Sequence, residues 1–418
     1  MSGIKTFVSR GSSPIQFAIL TRALLLLVVL AVAATLGHAQ SNFAVIQTFN
    51  ATDGDNPEST PTLDSHGNLY GTTVDGGAGP QAYGVVYELA PANGSWIMHP
   101  LYSFMDRNDG GALYAGVTIG PDGSVFGVAA GGGAYDHGTL FHLQPPASVC
   151  HAFLCPWTET TLHSFAGGSD GAVPYGNVVF DPQGNLYGTT VFGGAHGNGT
   201  VYEATRSGDT WNVSVLYSFV DGTPDSGLIL DGAGNLYGTA GGGANGLGMI
   251  FELSPTDGGW IETTLYSFTG GSDGCDPVAG LVFDRAGNLY GATGSLSCTP
   301  QTVFELSRQG GGWNFTTIYT FTFGGDGGCQ STLAIDSAGN LYGTVPYGGP
   351  DAAGEVFELS PSAGGWTYTD LHDFTLEHGG WYPLGGVAVT GPGGYLYGTT
   401  VVSTPGYGLI YQINLGPR

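Results

Sequence analysis

The sequence contains very little positive charge. Only 8 of its 418 residues are lysine or arginine, against 33 aspartates and glutamates, so the formal net charge is −25. After residue 39 there is no lysine, and the remaining cationic side chains are arginines. A surface with this imbalance repels phosphate backbones and anionic lipid headgroups. We therefore exclude nucleic acid and anionic membrane surfaces as partners.

Long apolar segments are also absent, apart from one near the N-terminus. The run 23–36 follows three basic residues and is shorter than the roughly 20 residues that span a bilayer. Small residues at positions 37 and 39 then match the pattern that signal peptidase recognises. We predict that residues 1–39 are a cleavable signal peptide and that the protein is periplasmic, extracellular or secreted, with no membrane span after cleavage. An uncleaved N-terminal anchor is the alternative.

Cysteine is scarce, and no two cysteines have the C-x-x-C spacing of zinc and redox motifs. Export favours disulfide bonds instead. Cys150 and Cys155 lie in one insertion and are close enough to be bridged. Cys275, Cys298 and Cys329 compete for one further bond.

No segment after residue 39 has the 3.6-residue apolar period of a helix. Instead, a five-residue phrase, most often Gly-Asn-Leu-Tyr-Gly, occurs in seven copies whose aromatic positions lie 50 to 61 residues apart. The copies are at 67–71, 123–127, 184–188, 234–238, 287–291, 339–343 and 394–398. A fixed period of this size indicates repeated supersecondary units. The 12% aromatic content argues that the many glycines are turn residues in a folded chain rather than signs of disorder.

Six of the seven copies contain four strand-like segments. In the copy at 277–321 they are 279–283, 288–293, 302–306 and 313–321, separated by turns rich in glycine and aspartate. Similar fourth segments begin with tryptophan in six copies, which indicates contacts between neighbouring units. Seven units of four antiparallel strands predict an all-β fold, a seven-bladed β-propeller.

The ends of the repeat region predict how the ring closes. The last copy stops after its third strand, 409–413, whereas the orphan segment 43–49 resembles a fourth strand. We predict that these two segments pair, so that 43–413 forms one propeller domain closed by its N-terminal strand, followed by a short tail at 414–418. An alternative phasing makes 43–49 the innermost strand of a self-contained first blade, and an open solenoid is a further alternative.

The repeat resembles a known family. The Asn-Leu-Tyr-Gly phrase, the Val-Phe-Glu-Leu-Ser-Pro segment at 356–361 and the Leu-Tyr-Ser-Phe segment at 265–268 are similar to those of the choice-of-anchor tandem repeat GloVer-containing proteins. This resemblance covers about 43–413. It implies an exported bacterial protein of unknown activity, with no catalytic residues to transfer. Many such proteins carry a C-terminal sorting anchor, but the end of this chain at 415–418 has no hydrophobic tail, which favours free secretion.

Candidate functional residues lie in the links between blades and in the loops between second and third strands, which share one face. Side chains that depart from the repeat are free to bind a ligand, and aromatic, histidine and arginine side chains suit sugars. These candidates are Arg107, Tyr135, His137, His196, His378, Trp381 and Tyr382. Further tyrosines on the same face also depart from the repeat, namely Tyr83, Tyr175, Tyr347 and Tyr407. Aspartates that recur in the links could form an acidic ring for Ca²⁺, or could simply make the turns. They are Asp53, Asp109, Asp170, Asp273 and Asp326.

These patterns favour a secreted, monomeric binding scaffold over an enzyme. Its expected ligand is extracellular or cell-surface polysaccharide, or a cell-surface protein. A propeller-type glycan hydrolase or lyase would need two convergent carboxylates on this face, and no copy stands out by an additional pair of acids. A structural cell-surface component is the remaining alternative. No cofactor is expected apart from the Ca²⁺ that the aspartate ring could hold.

Overall fold

The computed structural model describes residues 42–416, apart from 80–81, 106–107, 147–156, 209, 295–297, 322–327, 330, 377–378, 392 and 404–405. Residues from Phe43 onwards form one compact unit. The predicted signal peptide at 1–39 and the predicted bridge between Cys150 and Cys155 lie outside the described residues. The described part of the chain contains no helix that is both long and apolar enough to cross a bilayer.

The described strands form seven four-stranded antiparallel sheets, which confirms the seven-bladed β-propeller. In each blade the strands are ordered from the central channel outwards. Blades one to three contain β2(Thr62–Leu63), β3(Leu69–Thr73), β4(Val85–Ala92), β5(Ser95–Ser103); β6(Thr118–Ile119), β7(Val125–Ala129), β8(Thr139–Gln144), β9(Thr158–Ser164); and β10(Val179–Phe180), β11(Leu186–Thr190), β12(Thr200–Ser207), β13(Thr210–Ser218). Blades four and five contain β14(Ile229–Leu230), β15(Leu236–Ala240), β16(Met249–Thr256), β17(Gly259–Ser267); and β18(Val282–Phe283), β19(Leu289–Ala292), β20(Thr302–Gln309), β21(Gly312–Thr320). Blades six and seven contain β22(Ala334–Ile335), β23(Leu341–Val345), β24(Glu355–Ser362), β25(Gly365–Asp373); and β26(Ala388–Val389), β27(Tyr395–Thr400), β28(Leu409–Asn414), β1(Phe43–Thr48).

The first strand closes the ring. β1 pairs antiparallel with β28, with Phe43 opposite Ile413 and Thr48 opposite Leu409. It is therefore the outermost strand of blade seven, as predicted, and the alternative that made it the innermost strand of blade one is wrong. Pairing the two ends of the domain inside one sheet removes the free blade edge that an open array would leave.

The repeated phrase has a structural role that its hydrogen bonds explain. In blade four, the carboxylate of Asp231 accepts bonds from the backbone N–H groups of Ala233 and Asn235, both at 2.9 Å, and from the Asn235 side-chain amide at 2.9 Å. The hydroxyl of Tyr237 donates to the same carboxylate at 3.1 Å. The turn and the buried tyrosine are thus held by one aspartate. Equivalent turns are built on Asp64, Asp181, Asp284 and Asp336.

The last glycine of the phrase is required by close packing. A Cβ added to Gly238 would lie 2.7 Å from the ring tip of Phe251 on the neighbouring strand β16. An aromatic ring from the third strand covers the corresponding glycine in every blade; these glycines are Gly71, Gly127, Gly188, Gly238, Gly291, Gly343 and Gly398. A side chain there would collide with the blade core, since real Cβ contacts this short do not occur.

The fourth-strand tryptophans connect blades, as predicted. Trp260 packs edge-on against the signature Tyr187 of the preceding blade, with ring centroids 6.1 Å apart. Trp96, Trp211, Trp313 and Trp366 make the equivalent contact. These five blade interfaces therefore each pair a tryptophan with the aromatic ring of the repeated phrase, a tyrosine in four and Phe126 in the fifth, which ties the position of one blade to the next.

One disulfide joins Cys275, in the link before blade five, to Cys298 in the loop between the second and third strands of that blade, with Cα atoms 5.7 Å apart. Cys329 is a buried free thiol whose Sγ lies 3.3 Å from the carbonyl oxygen of Ser331. Burial raises the pKa of this thiol to about 11. Of the three cysteines that could form this bond, Cys275 and Cys298 are therefore the pair that is joined.

Candidate functional site

The central channel opens on the face that carries the blade links and the loops between second and third strands, called here the upper face. All seven blades line a cavity of about 370 Å³ in the channel. Just before each innermost strand, one side chain per blade borders its entrance. These residues, called here the channel mouth, are Glu58, Tyr114, Tyr175, Asp225, Val278 and Leu384. The equivalent position of blade six, 330, lies outside the described residues.

A recurring backbone conformation positions the mouth residues. The residue two places before the mouth has a left-handed φ of about 48–61° in five blades, and none of the five is glycine. These residues are Asn56, Ala112, Val173, Asp276 and Tyr382. Each such residue costs about 1–2 kcal/mol. Backbone hydrogen bonds offset the cost: in blade three, for example, Val173 donates to the carbonyl of His137 at 2.8 Å and accepts from Val191 at 3.1 Å.

Four consecutive mouth residues form a polar and aromatic arc, called here the mouth arc: Glu58, Tyr114, Tyr175 and Asp225. The rings of Tyr114 and Tyr175 stack with centroids 5.0 Å apart and an interplanar angle of 23°. Tyr175 remains 38% exposed, so its ring is accessible from the upper face. The other described mouth residues, Val278 and Leu384, are apolar. The mouth is therefore chemically one-sided, although its backbone is nearly symmetric.

The two carboxyls of the mouth arc are partly withdrawn from solvent. Burial raises the pKa of Glu58, and the nearby charge of Asp75 raises it further. Burial likewise raises the pKa of Asp225, with a contribution from Asp276. Burial raises the pKa of Tyr175 to about 12, with further contributions from the nearby Glu58, Tyr114 and Asp225. Its hydroxyl is therefore a neutral hydrogen-bond donor at physiological pH.

This arrangement can bind a ring-shaped polar ligand. A stacked tyrosine pair offers an apolar face for the C–H side of a sugar or similar ring. Carboxylates on either side can accept hydrogen bonds from its hydroxyl groups. Concave sites of a few hundred Å³ with a small number of convergent polar groups are typical of small-molecule binding.

The predicted ligand residues are not at this mouth. Tyr135 (60% exposed), His137 and His196 are on the exposed loops of blades two and three, and the His137 ring covers Gly167 in the next link. Trp381 packs into the core between blades six and seven and bridges to Val402. Tyr382 occupies the left-handed scaffold position, with its ring 5.3 Å from that of Tyr347. Arg107 and His378 lie outside the described residues.

The predicted aspartate ring makes hydrogen bonds within the links. Asp273 accepts bonds from the Thr269 backbone at 2.7 Å and from the Tyr266 hydroxyl at 2.9 Å. Asp109 bonds Tyr102 and Met105, Asp170 bonds Ala166 and contacts His163, and Asp53 bonds Asn50. Asp326 lies outside the described residues. Among those that are described, the only three potential metal ligands that meet are Cys275, Asp276 and Cys298, two of which form the disulfide.

Blade six carries an acid pair, so the expectation that no copy has an additional pair is wrong. Asp373 replaces the serine or threonine of the other copies, and Asp370 stands where they carry threonine, valine or proline. At the position of Asp373, Ser218 of blade three accepts a bond from the loop N–H of Ala195 at 3.2 Å. The corresponding loop residue of blade six is Pro350, which has no N–H. Burial and the neighbouring Asp373 raise the pKa of Asp370 to about 6. This pair lies on the outermost strand, away from the channel.

The sequence patterns singled out Tyr175 as one individual residue among many, but not Glu58 or Tyr114. A usable signal exists, because the mouth position directly follows a proline in five copies. Those prolines are Pro57, Pro174, Pro224, Pro277 and Pro383. Aligning the copies on this proline would have shown an acidic and aromatic series at the mouth.

Comparison with known proteins places the repeat in a family and the fold among solved structures. The family model described as the Gloeobacter/Verrucomicrobia repeat matches residues 32–160 and 154–301. No curated protein matches the sequence. A crystal structure of a Lactobacillus plantarum protein is similar, with a TM-score of 0.51 at 14% identity over 76% of this chain and 84% of that one. A protein described as a candidate gluconolactonase has a TM-score of 0.36 at 17% identity over 57% and 73%. The first likeness concerns the fold alone, and the second is too distant to support an argument.

Proposed function

We propose that this chain, which belongs to the Gloeobacter/Verrucomicrobia repeat family, is an exported binding scaffold that holds a saccharide unit of an extracellular or cell-surface glycan at its channel mouth. The observation that carries the proposal is the stacked pair of Tyr114 and Tyr175 flanked by Glu58 and Asp225. In this proposal, the predicted signal peptide delivers the protein to the compartment where such glycans occur.

The geometry of the mouth arc supports a saccharide ligand. The tyrosine pair lies at the rim of a cavity, and the half-buried carboxyls on each side offer acceptors in a partly desolvated setting. Such acceptors form stronger hydrogen bonds than fully solvated ones. The high negative charge of the chain disfavours polyanionic glycans. Neutral and cationic saccharides therefore remain as ligands.

The test is calorimetric titration of the mature protein with oligosaccharides selected on a glycan array. Replacing Tyr175 with alanine removes the accessible half of the stack and is expected to weaken binding about two- to tenfold, because such an aromatic contact contributes about 0.5–1.5 kcal/mol. The matched control is Tyr135→Ala, which removes an exposed tyrosine of the upper face outside the mouth and should leave affinity unchanged. Undiminished binding by the Tyr175→Ala variant would contradict the proposal. Absence of any saccharide ligand would favour a structural surface component.

A second candidate function is glycan hydrolysis. It is favoured by the burial of Glu58 and Asp225, since a carboxyl with a raised pKa can act as a general acid. Hydrolases need two carboxylates about 5–9.5 Å apart across the bond that is cleaved. The distinguishing measurement is the release of new reducing ends from a bound oligosaccharide. If reducing ends are released and Glu58→Gln abolishes their release, the protein is a hydrolase. If the oligosaccharide binds but no reducing ends appear, the binding scaffold is the function that remains.

A further inference from the structure

The acids around the tyrosine pair of the channel mouth form two groups, one on each side. On one side Glu58 has Asp75 close enough to raise its pKa. On the other side Asp225 is affected in the same way by Asp276. Both groups border the same aromatic pair, and the charges of Glu58 and Asp225 both act on Tyr175. An uncharged ligand would leave this repulsion in place, whereas a cation between the groups would relieve it.

The described cationic side chains are engaged elsewhere. The guanidinium of Arg308 bonds the hydroxyl of Tyr237 at 2.9 Å and lies 4.5 Å from the ring centroid of Trp313. Arg206 bonds the carbonyl of Gly208 at 3.0 Å. Arg285 is in a turn on the face opposite the channel mouth. The acids at the mouth form no ion pair among the residues that the structure describes.

Cation recognition also uses the aromatic pair. The face of a tyrosine ring attracts an ammonium group that lies within about 6 Å of its centroid. A carboxylate beside it can accept a charge-assisted hydrogen bond from the same group. The mouth arc places both kinds of partner around one cavity, next to a ring surface that suits a pyranose.

We propose that the channel mouth prefers amino sugars, whose pyranose ring covers the Tyr114–Tyr175 pair while protonated amines of the sugar chain are held by Glu58 on one side and by Asp225 on the other. This proposal rests on the saccharide site proposed above and names its ligand class. It differs from a bare cluster of acids, because the aromatic surface and the cavity define where the amine must lie. Binding transfers no group and requires no co-reactant.

The experiment compares three β-1,4-linked tetrasaccharides that share a backbone and differ at C2. They are the tetramer of glucosamine, the tetramer of N-acetylglucosamine and cellotetraose. We expect the glucosamine tetramer to bind about tenfold or more tightly than the other two, as one charged hydrogen bond would give. Its affinity should fall with added salt, whereas that of a neutral tetramer should not.

Variants separate charge from sugar recognition. Glu58→Gln and Asp225→Asn should each reduce the preference for glucosamine, measured as the ratio of its affinity to that of cellotetraose in the same variant, because the amide keeps an acceptor oxygen but carries no charge. The control Asp257→Asn removes one charge from an exposed turn on the opposite face and should change neither affinity. A glucosamine preference that persists in both mouth variants would overturn the proposal.

The outcomes also distinguish this inference from the proposed function. Equal binding of the three tetramers, lost in Tyr175→Ala, leaves the saccharide site standing and refutes the amine preference. Binding of none of them, or of glucosamine alone with no loss in Tyr175→Ala, refutes both. Tetralysine that binds as tightly as the glucosamine tetramer would mean that the mouth selects amines without a sugar ring, which refutes the amino-sugar assignment.

Discussion

The packing over the last glycine of the repeated phrase predicts how the blades respond to one extra oxygen atom. In blade four, the Phe251 ring tip and a methyl group of Leu228 lie 2.7 and 3.0 Å from the position of a Cβ on Gly238. In blade three the covering ring is Tyr202, and the residue equivalent to Leu228, just before β10, is the smaller Val178 in the same buried cluster. A larger ring is thus matched with a smaller partner.

The same compensation holds in other blades. At the position just before the innermost strand, Tyr87 and Tyr411 are matched with Pro61 and Val387. Phe304 and Phe357 are matched there with Leu281 and Leu333. Blade two departs from the rule: Phe141 is matched with Val117. The hydroxyl groups of the three covering tyrosines are buried without a hydrogen-bond partner. The size of the opposing side chain, rather than a hydrogen bond of the hydroxyl, therefore governs whether tyrosine or phenylalanine covers the glycine.

The perturbation is Phe251→Tyr, compared with Phe141→Tyr. Both variants bury a hydroxyl without a partner, which costs about 1–3 kcal/mol. Only Phe251→Tyr also forces the oxygen against a leucine, which adds about 1–3 kcal/mol of overpacking. Replacing Leu228 with valine in the same chain should recover most of that second cost, although the substitution is destabilising alone.

The assay is calorimetric measurement of the melting temperature of the wild type and the four variants. Urea unfolding midpoints are compared as well, provided that the dependence of the unfolding free energy on urea is the same in all five proteins. We expect Phe251→Tyr to melt lower than Phe141→Tyr, and the Phe251→Tyr/Leu228→Val double variant to melt higher than the sum of the single effects allows. Equal destabilisation by the two tyrosine substitutions, with no coupling to Leu228, would refute the size argument.

Two further predictions concern closure and the disulfide. His372 is 6% exposed and stacks at 3.9 Å on Phe43 of the closing strand, and burial lowers its pKa to about 4. In the unfolded chain the His372 imidazole protonates near pH 6.5. Its contribution to the free energy of unfolding should therefore be complete above that pH and fall by up to about 3 kcal/mol as the pH drops to 4. His372→Phe should abolish this part of the acid sensitivity in melting curves at pH 7 and 4.5. Replacing Cys275 with serine opens the loop of sequence separation 23 that ends at Cys298 and should cost about 3 kcal/mol, measured against a reduced wild-type control; an unchanged melting temperature would contradict this.

The fold was predictable from the sequence because its determinants are local and repeated. Each Asp-to-Asn turn is complete within five residues, as Asp231 and Asn235 show. The order of strands follows from short antiparallel connections, and the incomplete copies at the two ends imply that they complete one blade. The candidate site was less predictable. Trp381 is unusual in sequence, but its backbone bridges to Val402 and its side chain packs against the buried core between blades six and seven.

The mouth was hard to find because its members are far apart in sequence and meet only when the ring closes. Glu58 and Asp225 are in blades one and four, and neither belongs to a motif. Side chains that depart from the repeat converge only if they lie close to the channel axis. The spacing of residues along the sequence does not show this distance. A departure such as Tyr135 looks equally individual, yet it lies on a loop outside the mouth.

Close packing restricts the residue that follows the mouth position to small side chains, but it does not restrict the mouth position itself. The next residue in each copy is serine, alanine or glycine, because the innermost strands crowd there: a Cβ on Gly176 would lie 2.4 Å from the backbone nitrogen of Gly227. One position earlier, the seven copies carry glutamate, tyrosine, tyrosine, aspartate, valine, glutamine and leucine. Packing cannot account for an acid, an aromatic ring and an aliphatic chain at equivalent positions of one scaffold. These side chains are therefore where ligand chemistry can vary without cost to the blades, and substitutions among them should change binding while leaving the melting temperature nearly unchanged.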